Sequence, residues 1–213
     1  MTETEKITVA HVIGSLNYGG AENQVVQILN GIKDRLFKKY LITFKYADTA
    51  ISRGLNCEVS VRNIPLNRWG QIGCILTLRQ FFKQYKINVV QTHMFHANLY
   101  GAVAAKFAGV PVVITTEHGK NLWKGLIYHF IERRLISPLV DMRVAVSKDI
   151  KKIRITSGDV TQDKIFTIPN CVDIPHHNIE KEKNDKIQIG TVGRLVSAKD
   201  YGTLLNAFQD MIQ

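Results

Sequence analysis

Short apolar segments rich in valine and isoleucine alternate along the chain with segments whose apolar residues recur at helical spacing. Strands are predicted over residues 7–14, 40–45, 58–64, 88–93, 112–118, 142–146, 164–168 and 187–193. Helices are predicted between them over residues 21–36, 72–85, 97–108, 123–139, 147–155 and 201–212. Alternation of this kind, with nearly continuous apolar strands, favours an α/β fold with a doubly wound parallel sheet covered by helices on both faces.

The alternation is interrupted once, by a polar segment that contains two prolines and a run of charged residues. This composition predicts a first domain over residues 1–169, a linker over 170–186 and a strand–helix unit over 187–213. One strand and one helix cannot enclose a core. The last unit therefore either docks on the first domain or begins a second domain that is truncated.

The charge balance narrows the classes of ligand. The chain has 213 residues, of which 45% are hydrophobic and 22% charged, as in ordinary globular proteins. Lys and Arg number 28 against 18 Asp and Glu, and the resulting charge of +10 predicts attraction to nucleic acid, acidic lipid or phosphorylated ligands. The basic residues belong to no recognisable nucleic-acid-binding motif, so nucleic acid is not predicted as a partner.

The cysteines and the apolar segments indicate a cytoplasmic protein. Three widely spaced cysteines without a C-x-x-C pair predict neither disulfides nor a zinc site. The first residues are polar and do not resemble a signal peptide. The longest stretch without a charged residue, 87–105, contains Gln91, His93 and His96, so it is not expected to span a membrane.

A glycine-rich loop follows the first predicted strand and contains Gly14, Gly19 and Gly20. A strand, a glycine turn and a helix start together favour an anion-binding site, although such a turn can also be purely structural. A P-loop would require Gly-Lys-Ser/Thr, which is absent. The G-x-G-x-x-G spacing is also absent, and the second strand does not end in a carboxylate, so a nicotinamide enzyme is disfavoured.

Two histidines, His93 and His118, end predicted strands at the edge of the sheet where α/β proteins bind ligands. His93 and His96 have no third ligand nearby in the sequence, so a metal site is not predicted. His118 precedes Gly119 and is a candidate for hydrogen bonding or proton transfer to a ligand. For both histidines, a packed structural role is the alternative.

Basic residues lie in two further places. Arg194 and Lys199 follow the glycine that ends the last predicted strand, and they either bind phosphate or belong to a solvated basic loop. Residues 120–154 contain nine Lys or Arg and three Asp or Glu, including Lys124, Arg133 and Arg134 on a predicted amphipathic helix. That helix either covers the core with its charges outward or lies on an anionic membrane.

Taken in order, four segments resemble glycosyltransferase family 4, whose retaining enzymes have two Rossmann-like domains in the GT-B arrangement. These segments are HVIGSLNYGGAENQVVQILNGI, VVQTHMFHANLYGAVAAKFAGVPVVITTEHG, AVSKDIKKIRITSG followed by KIFTIPNCVD, and IGTVGRLVSAKDYGTLLNAF. The resemblance implies that the chain contains the N-terminal, acceptor-side domain and the start of a truncated donor-binding domain. It implies transfer of a hexosyl group, with retention and without a metal or cofactor, from a nucleotide-diphosphate sugar to a glycan or lipid-linked acceptor.

The resemblance also implies roles for individual residues. It assigns catalysis beside the transferred sugar to His118, donor-diphosphate binding to Gly19, Gly20, Arg194 and Lys199, and acceptor binding to Asn67, Arg68 and His93. The three basic residues of the predicted amphipathic helix, Lys124, Arg133 and Arg134, are expected to contact the inner membrane face. Such contact agrees with a peripheral enzyme of polysaccharide biosynthesis.

The sequence departs from the family pattern in three respects. Asp200 and Cys171 each stand where the family has glycine, and no two glutamates in the chain are eight positions apart, whereas the family's donor domain carries a Glu-x7-Glu motif. These 213 residues are therefore expected to be inactive alone, with the C-terminal domain as a partner in trans. The alternatives are a non-catalytic remnant that binds acceptor, membrane or a partner, and a sugar-nucleotide epimerase of the same two-domain fold.

Overall fold

The computed structural model describes residues 6–45, 49–65, 70–120, 125–172, 189–193 and 195–211. The chain divides into two compact units, Met1–Asp173 and Ile174–Gln213. The strands are β1 (Ile7–Ile13), β2 (Phe37–Thr43), β3 (Val59–Asn63), β4 (Val89–His93), β5 (Val112–Glu117), β6 (Met142–Ala145) and β7 (Ile165–Thr167). The α-helices are α1 (Gly20–Gly31), α2 (Ala50–Arg53), α3 (Gly70–Gln84), α4 (Phe95–Ala108), α5 (Leu126–Ile131), α6 (Lys148–Thr156) and α7 (Tyr201–Met211).

All seven strands of the first unit form one parallel sheet in the order β3-β2-β1-β4-β5-β6-β7. The chain adds strands in one direction from β1 to β3 and then in the other from β4 to β7. The direction reverses between β1 and β4, and this is the switch point beside which open α/β sheets bind ligands. The α/β class and the parallel Rossmann-like sheet predicted from the sequence are confirmed.

The two faces of the sheet bury different helices because side chains alternate along each strand. Ile13 of β1 packs with Val25 and Leu29 of α1 on one face. Val12, its neighbour in β1, belongs to the larger core on the other face, which α3 and α4 complete. Both faces near the switch point are therefore fixed by apolar packing, which leaves the carboxyl edge of the sheet to carry polar groups.

Two predicted elements differ from the structure. In place of one helix over 123–139, α5 is followed by a π-helical turn (Glu132–Ile136) and a 3₁₀ turn (Ser137–Leu139), while residues 121–124 lie outside the described ranges. Pro138 lacks the N–H that a continued α-helix needs. The predicted strand 187–193 is also wrong over 189–193, which form no strand, because a strand requires a hydrogen-bonded neighbour.

Among the described residues, every helix is too short or too polar to span a lipid bilayer.

Helix α4 lies close to the sheet because residue 101 has no side chain. A Cβ atom built on Gly101 would lie 2.5 Å from Cγ2 of Thr92 in β4 and 3.9 Å from Cβ of Val12 in β1. Thr92 is fully buried and donates a hydrogen bond of 2.8 Å to Asn98, so it has little room to move.

We expect Gly101→Ala to lower the free energy of unfolding of the first unit by about 1–3 kcal/mol through overpacking. The measurement is urea denaturation followed by circular dichroism. Gly31→Ala is the matched control, because a Cβ there meets no atom within 4 Å. A Gly101→Ala variant as stable as that control would contradict the close packing of α4 on β4.

Candidate functional site

Three histidines form a hydrogen-bonded row across the switch point. His11 lies in β1, His93 is the last residue of β4, and His118 directly follows β5. Nδ1 of His11 lies 3.0 Å from Nε2 of His93, and Nδ1 of His93 lies 3.0 Å from Nε2 of His118. Adjacent ring centroids are 5.3 Å apart in both pairs, and the rings of His11 and His93 are stacked at 14°.

Burial keeps the row uncharged at neutral pH. His11 and His93 are fully buried, whereas His118 is partly exposed. Desolvation by burial lowers the pKa of His11 and of His118 from 6.5 to about 4. The pKa of His93 falls well below its usual value, first through burial and then through the charges that His11 and His118 would carry. His118 is thus a neutral imidazole, and its remaining ring nitrogen, Nδ1, is buried without a hydrogen-bond partner among the described residues.

A second set of hydrogen bonds joins the same strand ends on the opposite face of the sheet. Oγ1 of Thr92 donates to Oδ1 of Asn98 over 2.8 Å, and Nδ2 of Asn98 donates to Oε1 of Glu117 over 3.3 Å. Between them, Met94 is the N-cap residue of α4 and has φ 70° and ψ 159°, a backbone region that is sparsely populated outside glycine. The ends of β4 and β5 are therefore held from both faces, and His93 and His118 are held with them.

Buried ion pairs extend this support from β5 to β6 and α6. Glu117 lies 3.1 Å from Arg154, which in turn lies 3.3 Å from Asp159. Nη1 of Arg143 in β6 lies 2.7 Å from Oε2 of Glu132. All five side chains are at most 2% exposed, so each charge depends on its partner to remain in the interior. This network stiffens the residues immediately before His118.

The glycine-rich loop opens at the same edge of the sheet, because it connects β1 to α1. Gly19 precedes α1 in extended conformation and Gly20 begins the helix. The carboxylate of Glu22 lies against Gly19, in the space that a Cβ would need, whereas a Cβ on Gly20 would meet no atom within 4 Å. Gln24 accepts a 3.0 Å hydrogen bond from the backbone N–H of Cys171, which holds the chain after β7 against α1. The N-terminus of α1 is therefore fixed, with open space beside Gly20.

The second unit carries one of the two predicted phosphate-binding cations among its described residues. Lys199 ends a 3₁₀ turn and is exposed. Asp200 follows in left-handed conformation at φ 46°, and its Oδ1 accepts a hydrogen bond of 3.4 Å from the N–H of Thr203 in α7. Asp200 thus takes the backbone conformation that suits glycine and offsets its strain by capping α7. Arg194 lies outside the described residues.

The structure describes only some of the residues that were predicted to contact an acceptor or the membrane. Asn67, Arg68 and Lys124 lie outside the described residues. Both ring nitrogens of His93 are occupied by histidines, so its predicted contact with an acceptor would act through His118. Arg133 lies 3.5 Å from Asp159 and donates to the carbonyl of Ser157, and it is half exposed, so part of its role is structural.

Sequence reasoning missed His11 and the buried ion pairs. A histidine inside an apolar strand is typical of a satisfied core residue, and its partner is 82 positions away. The signal available was the group of isolated charged residues within otherwise apolar elements, Glu117, Glu132 and Arg143 among them. Residues of this kind are almost never fully buried unless paired, so they predict one another as partners.

The sequence model of Glycosyltransferase Family 4 matches residues 18–175 of this chain. The UDP-Gal:alpha-D-GlcNAc-diphosphoundecaprenol alpha-1,3-galactosyltransferase of Escherichia coli is 27% identical over 181 residues, which cover 79% of this chain and 46% of that protein. The chain spans about half the length of the curated relatives it matches.

Solved structures share the fold. The crystal structure of Anabaena Alr3699/HepE in complex with UDP-glucose matches with a TM-score of 0.66 at 19% identity, over 78% of this chain and 44% of that one. A UDP-N-acetylglucosamine 2-epimerase from Rickettsia bellii matches with a TM-score of 0.57 at 12% identity, over 78% of this chain and 45% of that one. At these identities the likeness concerns the arrangement of strands and helices.

We expect the first unit to lose stability as the pH falls from 7 to 5.5. The lowered pKa values mean that the unfolded chain binds protons in this range and the folded chain does not, so acid favours unfolding. Each unit by which one pKa is lowered corresponds to about 1.4 kcal/mol once the pH has fallen through the whole interval. Urea denaturation at a series of pH values measures the slope of the free energy of unfolding against pH.

The slope should become shallower in His11→Gln, which removes one buried imidazole, and should not change in His96→Gln, which replaces an exposed histidine. A free energy of unfolding that stays constant from pH 7 to 5.5 in the wild-type chain would contradict a neutral buried row.

Proposed function

Because the chain belongs to glycosyltransferase family 4, we propose that it takes part in hexosyl transfer from a nucleotide-diphosphate sugar to a hydroxyl of a glycan or lipid-linked acceptor. The observation that carries this proposal is the neutral, partly exposed His118 at the switch-point edge, where the glycine loop before α1 also opens. The names of the relatives agree with both substrate classes: one solved neighbour is a complex with UDP-glucose, and the Escherichia coli relative acts on a diphosphoundecaprenol-linked sugar.

The donor diphosphate is assigned to backbone N–H groups at Gly19 and Gly20 and to the cations Arg194 and Lys199. The N-terminus of α1 carries partial positive charge, and a guanidinium and an ammonium group add full charges where the leaving group becomes more negative. With this assignment, protein groups alone stabilise the negative charge on the leaving diphosphate, as a reaction without a metal ion requires.

Transfer is proposed to proceed with retention. The bond between the anomeric carbon and the diphosphate oxygen breaks, and the acceptor oxygen forms its bond to the same carbon on the same face. The acceptor proton passes to an oxygen of the leaving diphosphate, so proton and electron pair are both accounted for. His118 donates a hydrogen bond to a hydroxyl of the transferred sugar, and because it is neutral it does not compete with the cations for the phosphate.

An epimerase is the second candidate, favoured by the shared fold of the Rickettsia bellii enzyme. Such an activity would convert a UDP-N-acetylhexosamine into its C2 epimer without any acceptor, whereas glycosyl transfer releases free nucleotide in proportion to acceptor consumed. A non-catalytic remnant would bind acceptor or vesicles and would not bind nucleotide at all.

Purified alone, the 213-residue chain is expected to show background transfer from radiolabelled UDP-glucose or UDP-galactose to an undecaprenyl-diphosphate-linked sugar. The chain holds no pair of glutamates eight positions apart that could bind donor hydroxyls. Addition of a separately expressed donor domain of a family member should restore transfer, and His118→Ala should then reduce it by about 10-fold through loss of a neutral hydrogen bond.

His96→Ala serves as the control for that variant, because this exposed histidine on α4 takes no part in the row. Robust turnover by the chain alone would show that the donor site has been misplaced. Restored transfer that tolerates His118→Ala would remove His118 from catalysis.

Peripheral association with the cytoplasmic membrane face is proposed through α5. Leu126, Ile127 and Phe130 are 90%, 75% and 61% exposed, while Tyr128 and Ile131 of the same helix pack against the core. The exposed Arg134 follows this apolar surface within the π-helical turn. Apolar side chains beside a cation suit the boundary between acyl chains and anionic headgroups.

Arg134→Glu should weaken binding to phosphatidylglycerol vesicles by about 5-fold or more, since each basic residue near an anionic surface contributes on the order of 1 kcal/mol. Phe130→Ser should weaken it through lost apolar contact. Lys33→Glu makes the same charge change beyond the other end of the sheet and should have a smaller effect. Sedimentation with vesicles at low and high salt measures this, and equal binding to uncharged phosphatidylcholine vesicles would exclude the electrostatic component.

A further inference from the structure

A cavity of about 520 Å³ opens at the amino edge of the sheet, the edge opposite to the one that carries His118. It lies at the first residues of β1 and β2 and at the segment that joins α3 to β4. Strand β1 has seven residues, and at about 3.3 Å per residue the two edges are roughly 20 Å apart. The groups proposed to act in sugar transfer lie at the carboxyl edge, so they do not account for this cavity.

The cavity carries a concentrated positive charge. Lys6, Lys38 and Lys86 line it, and all three are exposed. Within the described part of the chain no carboxylate lines the cavity, and none of the three ammonium groups makes an ion pair. Like charges around one concave surface repel each other, and an anion bound between them would offset that repulsion. The lining therefore favours an anionic ligand.

Asn88 adds a neutral donor whose orientation is fixed. Its Oδ1 accepts a hydrogen bond of 2.8 Å from the N–H of Thr8, and its backbone N–H donates to the carbonyl of Thr8 over 2.9 Å. These two bonds hold the side-chain amide, and Nδ2 has no hydrogen-bond partner among the described residues. An N–H donor beside ammonium groups suits the oxygens of a phosphate, each of which accepts hydrogen bonds.

Aromatic packing supports one of the lysines. Nζ of Lys38 lies 5.6 Å from the centroid of the buried Tyr40 ring. That ring packs against Tyr85, which lines the cavity, with centroids 5.0 Å apart. The wall beneath Lys38 is thus part of the apolar core of the first unit, and the cavity does not depend on a loop for its shape.

Lys86 takes a backbone conformation that suits glycine. It has φ 48° and follows α3 in a cap in which the N–H of Lys86 donates to Lys83 and the N–H of Ile87 donates to Phe82. Lys83 already places a positive charge in the last turn of α3, where it complements the helix dipole. A lysine that is retained at a position of backbone strain beside a basic cavity indicates a use for its side chain.

We propose that this basic cavity, defined by Lys6, Lys38, Lys86 and Asn88, binds a soluble ligand with two or more phosphate groups. Lysine ammonium groups bind phosphate as point charges, and the volume is that of a small-molecule site. Unlike α5, the described lining contains only one exposed large aliphatic side chain, Ile7, so it offers little surface for acyl chains. The site is separate from the proposed donor site, and the proposal does not depend on sugar transfer.

Inorganic diphosphate is the probe, titrated at low salt into the ¹⁵N-labelled full chain and followed by ¹H–¹⁵N correlation spectra. The expected result is a saturable shift of the backbone amides of Thr8 and Asn88 and of the side-chain NH₂ group of Asn88. Shifts confined to Gly19 and Gly20 would place the anion at the proposed donor site and overturn the proposal. The absence of a saturable shift at Thr8 and Asn88 would also overturn it.

Three variants separate a built cavity from net charge. Asn88→Asp keeps the acceptor for Thr8 but puts a negative charge among the lysines, and it should weaken diphosphate binding by about 10-fold or more. Lys86→Gly removes one charge and suits φ 48°, so it should weaken binding by about 5-fold without lowering stability to urea. Lys83→Gln removes the same charge outside the cavity and should have little effect. Equal weakening by Lys86→Gly and Lys83→Gln would contradict the cavity.

Vesicles distinguish a soluble ligand from a lipid headgroup. Asn88→Asp and Lys83→Gln lower the net charge equally, so both should change sedimentation with phosphatidylglycerol vesicles to the same small extent. A much larger loss of vesicle binding in Asn88→Asp, with no effect of that variant on diphosphate binding, would assign the cavity to a lipid headgroup and overturn the soluble ligand.

Discussion

The constraint on which the carboxyl edge of the sheet depends is that a buried polar group must be paired. Between β1 and β6 the edge contains histidines, carboxylates and guanidinium groups, most of them fully buried. Each makes at least one hydrogen bond or ion pair with another polar side chain, which offsets part of the cost of its burial. The result is an edge whose side chains have few alternative rotamers, since a change in any one of them would leave a neighbour without its partner.

The pairing is divided between the two faces of the sheet, and the division has a mechanical consequence. On the face covered by α1 the groups are neutral, as in the row that ends at His118, whereas on the face covered by α4 and α6 they are ionic, as in Glu117 and Arg154. Glu117 and His118 are consecutive residues, so the ionic pairs fix the backbone from which the neutral ring projects. The charges remain on the far side of the sheet, and His118 is left in surroundings that keep it uncharged. Met94, held in a sparsely populated backbone region at the end of β4, is consistent with an edge determined by its surroundings rather than by local preference.

The strands, their parallel arrangement and the position of His93 and His118 at the sheet edge could be predicted because they follow from apolar periodicity and from where strands end. His11 could not, because within a strand an isolated histidine carries no local sign of its partner. Glu132, which begins the π-helical turn, pairs with Arg143, and only the tertiary fold creates that contact. The strand expected over 187–193 shows that an apolar pattern can also predict an element that does not form. The pattern is present there, but a strand needs hydrogen bonds to a neighbouring strand.

A neutral histidine and a set of cations have different roles in the proposed reaction. A cation beside the sugar would oppose the positive charge that develops on the anomeric carbon as the bond to the diphosphate breaks, so it would raise the barrier rather than lower it. In the proposed reaction, a neutral donor at His118 would add orientation without adding charge, and electrostatic stabilisation would come from the groups proposed to bind the diphosphate. This separation requires a ring that can offer a proton without carrying a charge. The buried row contributes to that condition, since burial excludes the charged form.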